Sequence, residues 1–444
     1  MSKQLANRAA IEKAVTKALR EQPIVDMHTH LYTPEFGTPD PNRTGKTDPN
    51  GLLLWGLDEL LTYHYLVAEV FRIVPATELP YEKFWKMSKT EQADHIWKHL
   101  FVERPPISEA CRGVLTSLEM LGLEVGKKKD LTKARKWFAA QDPDKYIDKV
   151  MELSNVESIT MTNPVFDDNE RGRWLKSAEV LRSDPRFKAV LRIDPILRNW
   201  PLAAQKLTEW GFAAGDGKKL SPKNIEEGQR FLREWLDRQE SIYMALSLPP
   251  DFRYPAPEGD AIAEAGQIAL EKIILPIAAE RNIPFAMMIG SRLRVNPALG
   301  DAGDTVGYSD VSSVVRLCAA FPKNKFFVTM LARENQHELC IAARKFGNLM
   351  IFGCWWFLNN PSLIEEMTRM RIELLGSSMI PQHSDARVLD QLLYKWTHSR
   401  AIIGKVLTDK YSDIVDTGWV LSEEDVKKDV ERMLKGNFLD FLKR

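Results

Sequence analysis

At 444 residues the chain exceeds the size at which one compact core stops growing, so two domains or one large barrel with insertions are expected. Lys plus Arg and Asp plus Glu both number 61, and this zero formal charge leaves no electrostatic footprint for nucleic acid or an anionic membrane. No apolar run approaches the roughly 18 residues of a membrane span, and the start, Met1-Ser2-Lys3-Gln4-Leu5, lacks a signal-peptide apolar region. Cys111, Cys318, Cys340 and Cys354 form no Cys-x-x-Cys pair and no disulfide scaffold, so a reduced cytoplasmic setting is expected.

Residues 3–20 set Leu5, Ala9, Ile11, Val15 and Leu19 among Lys, Arg and Glu, the pattern of an amphipathic helix. Next comes Ile24-Val25-Asp26-Met27-His28-Thr29-His30-Leu31, a short apolar run ending in two histidines spaced i, i+2. On a strand alternate side chains share a face, so both imidazoles would point one way, as a divalent cation of borderline softness requires. An isolated His-x-His is as readily a pair of polar residues at a strand exit, so further ligands must come from elsewhere. Residues 34–50 hold four prolines and two glycines, a loop long enough to wall an active site. Residues 52–71 read as one helix carrying His64 and Tyr65 among apolar neighbours. Residues 80–150 read as further helices with Trp85, Trp97, Leu100, Leu115, Leu118, Leu121, Trp137 and Phe138 as core positions, and Lys127-Lys128-Lys129 as a solvated connection. Residues 34–150 are thus expected to be a helical insertion covering the barrel mouth, with 1–33 and 151–444 forming the barrel.

Beyond residue 150 the chain alternates. Strand-like runs fall at Val156–Met161, Phe187–Ile193, Ser241–Leu248, Pro284–Ile289, Lys325–Leu331, Leu349–Gly353 and Ile372–Ile380. Helical patterns such as Ile225–Leu236, Ala261–Ala279, Val311–Phe321, Gln336–Phe346 and Pro361–Arg371 lie between them. With the first run this makes eight strands joined through helices, which predicts an α/β chain closed as a (β/α)8 barrel of TIM type. No Gly-x-Gly-x-x-Gly opens a helix, against a dinucleotide fold. Ser422-Glu423-Glu424-Asp425 predicts the start of a last helix and Gly436 its end.

Functional residues of such a barrel stand at the carboxyl ends of its strands. Strand one supplies His28 and His30, and strand three, Leu191-Arg192-Ile193-Asp194-Pro195, sets a cation at the mouth. Strand eight runs into Ile380-Pro381-Gln382-His383-Ser384-Asp385-Ala386-Arg387, where an extended backbone would aim both Asp385 and Arg387 inward. Asp385, beside strand one in a closed barrel, is well placed as a third metal ligand. Two imidazoles and a carboxylate leave coordination sites open; zinc comes first by softness, with manganese or another divalent ion as alternatives. A lone Tyr or His on an apolar helix is ordinarily a core residue, but His64 and Tyr65 follow the strand-one loop and can fold over the mouth. His95, His99, His337 and His398 lie in helical patterns and read as structural, whereas His383 beside Asp385 has either role open. No Ser-His-Asp order, phosphate-cradling loop or Cys nucleophile competes for the mouth.

Asp26-Met27-His28-Thr29-His30-Leu31 resembles the strand-one signature of the amidohydrolase superfamily. Together with Trp55-Gly56-Leu57-Asp58-Glu59-Leu60-Leu61-Thr62-Tyr63-His64-Tyr65 and His383-Ser384-Asp385-Ala386-Arg387, it makes the chain similar to the uronate (glucuronate) isomerases over most of its length. The resemblance implies a metal-dependent barrel that interconverts aldo- and ketohexuronates, such as D-glucuronate and D-fructuronate. It implies His28, His30 and Asp385 as metal ligands, Arg192 and Arg387 as substrate contacts, and His64 and Tyr65 as pocket residues. The hydrolytic branches usually add ligands at middle strands; here strand four ends Ser247-Leu248-Pro249-Pro250-Asp251 and strand five Ile289-Gly290-Ser291-Arg292, neither with His. A metal-dependent hydrolase or decarboxylase acting on a small carboxylated substrate is the alternative, marked by a middle-strand His or modified Lys at the metal. The loops at 163–174 and 291–307 find no match, leaving Arg173, Arg292, Arg294, Asn296 and Asp304 as open candidates for substrate contact. A small sugar acid is the expected partner, and a homo-oligomer is compatible with the sequence.

The chemistry is consistent with these residue types. Moving a carbonyl from C1 to C2 requires removal of the C2 proton, an enediol, and protonation at C1. A carboxylate such as Asp385 takes that proton, Tyr65 donates to and accepts from the adjacent oxygens, and a guanidinium fork fits the uronate carboxylate.

Overall fold

A computed structural model describes residues 4–40, 47–124, 130–217 and 220–444; the Lys127-Lys128-Lys129 connection lies outside the described residues. Parallel strands close into a ring. Ile24–Asp26 pairs with Val156–Thr160. The second and third strands are each interrupted, Val156–Thr160 resuming as Asn163–Pro164 and Phe187–Lys188 as Leu191–Arg192, and they pair in parallel on both sides of the break. Leu191–Arg192 then pairs with Met244–Leu248, followed by Phe285–Ile289, Phe326–Met330 and Leu349–Ile351. A parallel bridge from Phe352 to Ile380 leads to the last strand. The Asp385 amide donates to the His28 carbonyl at 3.1 Å and the His30 amide to the Ala386 carbonyl at 2.7 Å, which closes the barrel.

The middle strands are buried at every position, as strands covered on both faces must be. Their side chains divide with period two. Val25, Met27, Ala245, Ala286, Met288, Phe327 and Met350 fill the barrel, while Met244, Leu246, Phe285, Met287 and Val328 meet the surrounding helices. Phe438 and Phe441 of the C-terminal helix Asn437–Lys443 pack on Phe327 at ring distances of 5.7 and 4.9 Å and plug the amino-terminal end.

Between the first two strands stand helices from Leu57–Leu61 to Pro143–Ser154. Among the described residues no helix is long and apolar enough to cross a membrane, and all four cysteines are buried free thiols.

Several local expectations are corrected. Ile372–Leu375 continues the helix Pro361–Leu375, because the buried face of Ile364, Met367, Thr368 and Arg371 carries through until Gly376, at φ +61°, stops it. The last strand is therefore only the bridge at Ile380 and the run after it. Residues 52–71 are not one helix: Leu54 bridges Val388 in parallel, and Leu57–Leu61 and His64–Ile73 break at Thr62 and Tyr63. Trp85 is 44% exposed, its indole N–H donating to the Ala298 carbonyl at 2.8 Å. The helix Glu423–Glu431 starts with the Ser422–Asp425 capping box as expected, but Gly436 does not end it; a wide turn, Arg432–Gly436, runs on into the C-terminal helix.

Gly353, at the end of the seventh strand, has φ +64°, and a Cβ there would stand 1.7 Å from the buried His383 ring. Gly418 has φ +89° with open space around it. Gly418→Ala should cost about 1–3 kcal/mol for the backbone alone. Gly353→Ala should cost roughly 2 kcal/mol more, because a core ring must shift. Denaturant unfolding of both variants checks this, and equal losses would contradict the tight packing of His383.

Candidate active site

The side chains of His28, His30 and Asp385 converge at the joint between the first and last strands. Asp385 Oδ1 stands 3.3 Å from His28 Nε2 and 3.4 Å from His30 Nε2. Thr29 turns to the opposite face, its hydroxyl and amide both donating to the Thr160 carbonyl, at 2.8 and 3.1 Å, which fixes the strand's rotation. The Thr162 hydroxyl donates to the Thr29 carbonyl at 2.7 Å, so its oxygen is left to accept from His28 Nδ1–H at 3.4 Å. That assigns the lone pair to His28 Nε2. Asp385 adopts φ +50°, so the expected extended run from Asp385 to Arg387 is corrected to a left-handed kink; both side chains still line one pocket.

These atoms suit a divalent cation. His28 Nε2 and Asp385 Oδ1 are buried without a hydrogen-bond partner, a costly arrangement unless something else satisfies them. Bonds of about 2.0–2.1 Å to a tetrahedral ion would separate ligand atoms by about 3.3 Å, which the observed spacings match. Burial drives the His30 imidazole down to about 4 against the pull of Asp385, so it is a neutral donor at pH 7. Burial pushes the Asp385 carboxyl up, but the contacts from His28 and His30 outweigh it and hold the group well below the usual carboxylate range. Among the described residues this is the one such cluster of His, Cys, Asp and Glu.

Beneath it lies a polar scaffold that sequence patterns do not signal. Asp26, 0% exposed, accepts from the Ser384 amide at 3.1 and 3.2 Å and from Trp396 Nε1 at 2.9 Å. Lys395, 3% exposed, donates to the carbonyls of Ser384 at 2.6 Å and Asp385 at 3.3 Å, and burial lowers its ammonium to about 8. Both Lys395 and Trp396 belong to the helix Gln391–Asp416.

The His28–His30–Asp385 cluster floors a pocket of about 260 Å³, walled by Tyr63, His64, Arg192, Ser247, Met288, Ser291, Asp301, Asp304, Trp355, Trp356 and Arg387. Arg192 is held by Asp194 through Nε at 2.7 Å and Nη2 at 3.0 Å, and Nη2 also reaches Ser247 Oγ at 3.1 Å. Arg387 is half-exposed, 3.6 Å from Asp301. His64 packs 5.7 Å from Trp356, and burial pushes its imidazole down to about 3. Tyr65 stands behind this wall, its ring 4.4 Å from His64, with burial holding the phenol well above its ordinary value; Tyr63, which sequence reasoning passed over, faces the pocket instead. His383 is fully buried under His28, rings 5.2 Å apart.

Of the loop residues, Asp304 lines this pocket and Arg294 an outer cavity of about 580 Å³ above it, formed with Glu59, Val67, Trp85 and Lys89. Arg173 instead binds Asp48 at 2.6 Å and the Asn50 carbonyl, tying the first loop to the helix Asp168–Leu181. Asn296 caps the turn Pro297–Gly303, and Arg292 lies on a short hairpin strand outside the pocket lining. Three of the four helical histidines have their own neighbours: His95 meets His99 edge to face and His99 binds Glu103 at 2.8 Å, while His337 is exposed. His398 bridges Glu109 at 2.5 Å and Thr116 at 2.9 Å.

Glu170 braces the wall behind the histidines. It is 1% exposed and accepts from Tyr32 at 2.9 Å, Asn163 at 2.8 Å and Trp174 at 3.2 Å. Burial outweighs these bonds and raises the carboxyl from 4.5 to about 8. A group raised on folding contributes stability that is complete below its unfolded pKa and is lost as pH rises through the folded one. Wild type should therefore lose stability between about pH 5 and pH 9 relative to Glu170→Gln, whose neutral amide has no proton to release. Unfolding free energies at both pH values test this; a constant difference between the proteins would contradict a protonated Glu170.

No protein-family model and no curated protein sequence matches the chain; solved structures do. A uronate isomerase from Bacillus halodurans C-125 is 50% identical, with a TM-score of 0.91 over 99% of this chain and 98% of that one. A uronate isomerase from Thermotoga maritima (16% identical, TM-score 0.72, 99% and 98% covered) and a glucuronate isomerase from Caulobacter crescentus (14%, 0.70, 98% and 94%) share the fold. Half of all positions identical across the whole barrel exceeds a likeness of fold alone, and the chain belongs to the uronate isomerase family and is an isomerase.

Proposed function

We propose that the enzyme interconverts aldohexuronates and ketohexuronates, D-glucuronate with D-fructuronate and its epimer D-galacturonate with D-tagaturonate, using one divalent cation held by His28, His30 and Asp385. The observation that carries this reading is the convergence of two imidazole nitrogens and one carboxylate oxygen on the floor of a pocket flanked by two arginines. Zinc fits the donor set first, with manganese or another divalent ion as alternatives. When bound, such an ion supplies Lewis acidity and orients the open-chain sugar. Ser247 and Ser291, not imidazoles, stand at the ends of the fourth and fifth strands, which favours isomerisation over the hydrolytic chemistry of the wider superfamily.

The residues then divide the work. Arg387, half-exposed and only loosely paired, offers its planar fork to the uronate carboxylate. Arg192 has Nε and Nη2 committed to Asp194, which sets the guanidinium at one angle and leaves Nη1 for the sugar. Asp385 Oδ1 faces the imidazoles, so Oδ2 takes the C2 proton and returns it at C1 on the same face of a cis-enediol. Tyr63, which faces the pocket in place of Tyr65 and is kept protonated by burial, and neutral His64 serve the two adjacent oxygens as hydrogen-bond partners, with Tyr65 packed behind His64. In this reading residues 34–150 cover the mouth of a barrel made from 1–33 and 151–444. Four reduced, buried thiols suit the cytoplasm.

The test is turnover of C2-deuterated D-glucuronate by wild type and Asp385→Asn at matched metal content. Wild type should break the C2–D bond, and the variant, which keeps the shape without the base, should be slower by about 10²–10⁴. Turnover of Asp385→Asn within about tenfold of wild type would place the base elsewhere.

A further inference from the structure

Lys395 is a buried cation with no carboxylate at ion-pairing distance among the described residues. Its ammonium donates instead to two successive backbone carbonyls, Ser384 at 2.6 Å and Asp385 at 3.3 Å. Burying an ammonium is costly unless its protons are well placed, so such a contact points to a structural demand at those carbonyls. The demand is visible in the backbone: Asp385 sits at φ +50°, a left-handed conformation that residues other than glycine seldom hold unaided. The adjacent Trp396 acts on the same turn from the other side, since its indole N–H binds Asp26, whose carboxylate accepts the Ser384 amide. The turn is thus gripped at an N–H through Asp26 and at two C=O groups by Lys395, both grips rooted in one helix.

We propose that Lys395 is a positioning residue, its ammonium holding Asp385 in the left-handed turn that aims Oδ1 at His28 and His30. The inference rests on the reading of these three side chains as a metal site. Lys395 touches neither substrate nor reacting atoms; it acts through the Asp385 backbone.

The test compares wild type, Lys395→Met, Lys395→Gln and His28→Ala as full chains. Zinc affinity is measured by competition with a chelator, unfolding midpoints on the metal-free proteins, and kcat and KM with D-glucuronate at saturating zinc. Lys395→Met should bind zinc about 10–100-fold more weakly, the range for residues that orient metal ligands, with a metal-free midpoint within a few degrees of wild type. Its kcat should fall about tenfold while KM changes by less than about threefold. Lys395→Gln, whose amide still donates, should recover part of both losses. Zinc affinity of Lys395→Met within about twofold of wild type, with loss of zinc in His28→Ala, would overturn the role of Lys395 alone. Equal retention in both would overturn the metal site on which it rests. A fall in midpoint shared by both Lys395 variants, without the partial rescue, would reduce the residue to a tie between helix and barrel and overturn the proposal. If Lys395→Met does not fold, Lys395→Gln decides by the same measures: weaker zinc binding at an unchanged midpoint supports the role, and wild-type affinity overturns it.

Discussion

The site depends on the closure of the barrel, where the last strand hydrogen-bonds to the first through the Asp385 amide and the His28 carbonyl. A His-x-His at the end of one strand is only a pair of imidazoles on a common face. It becomes a three-donor cluster when a carboxylate from the far end of the chain docks beside it, and nothing local to either segment brings that about. Closure is driven by the apolar interior layer and the helices packed around the strands, so the hydrophobic core sets the geometry of the polar site built on top of it. The His pair, the kinked Asp385 turn and the brace from Asp26 fail together if the ring opens.

Electrostatically the floor of the pocket is a preorganised polar island. His30 and His64 are kept neutral by burial, as donors of lone pairs must be. Asp26 and Lys395, of opposite charge, are turned toward backbone groups rather than toward each other, and their hydrogen bonds fix the chain on which Asp385 sits. His28 Nε2 and Asp385 Oδ1 have no partner beyond their mutual approach, and both ring nitrogens of His383 beneath them are also without a hydrogen bond. Such a surplus of lone pairs in a low-dielectric site is what a cation satisfies. The arginines sit above, one locked by Asp194 and one loosely held, so the pocket combines a rigid anchor with an adjustable one.

Much of this is legible in the sequence where the periodicity is strong. The apolar runs that became the middle strands are continuous because they are covered on both faces, and His28, His30 and Asp385 stand at strand ends where the barrel fold puts chemistry. Ile372–Leu375 misleads because a short run of Ile372, Leu374 and Leu375 around Glu373 fits a strand as well as the end of an amphipathic helix, and only Gly376 separates the two. Tyr63 rather than Tyr65 faces the pocket because the helix breaks just before His64, a rotation that a run of apolar residues does not reveal. Asp26 and Lys395 are hidden for a different reason. A lysine on a long amphipathic helix ordinarily points to water, and its burial against two carbonyls is a fact of tertiary packing alone.

The most direct measurement is anomalous scattering from crystals of the metal-loaded enzyme, collected on both sides of the absorption edge of the metal identified by fluorescence. One strong peak per chain is expected, about 2.0–2.2 Å from His28 Nε2, His30 Nε2 and an Asp385 carboxylate oxygen. A fully active crystal with no peak there, or with its peak at another set of residues, would contradict it.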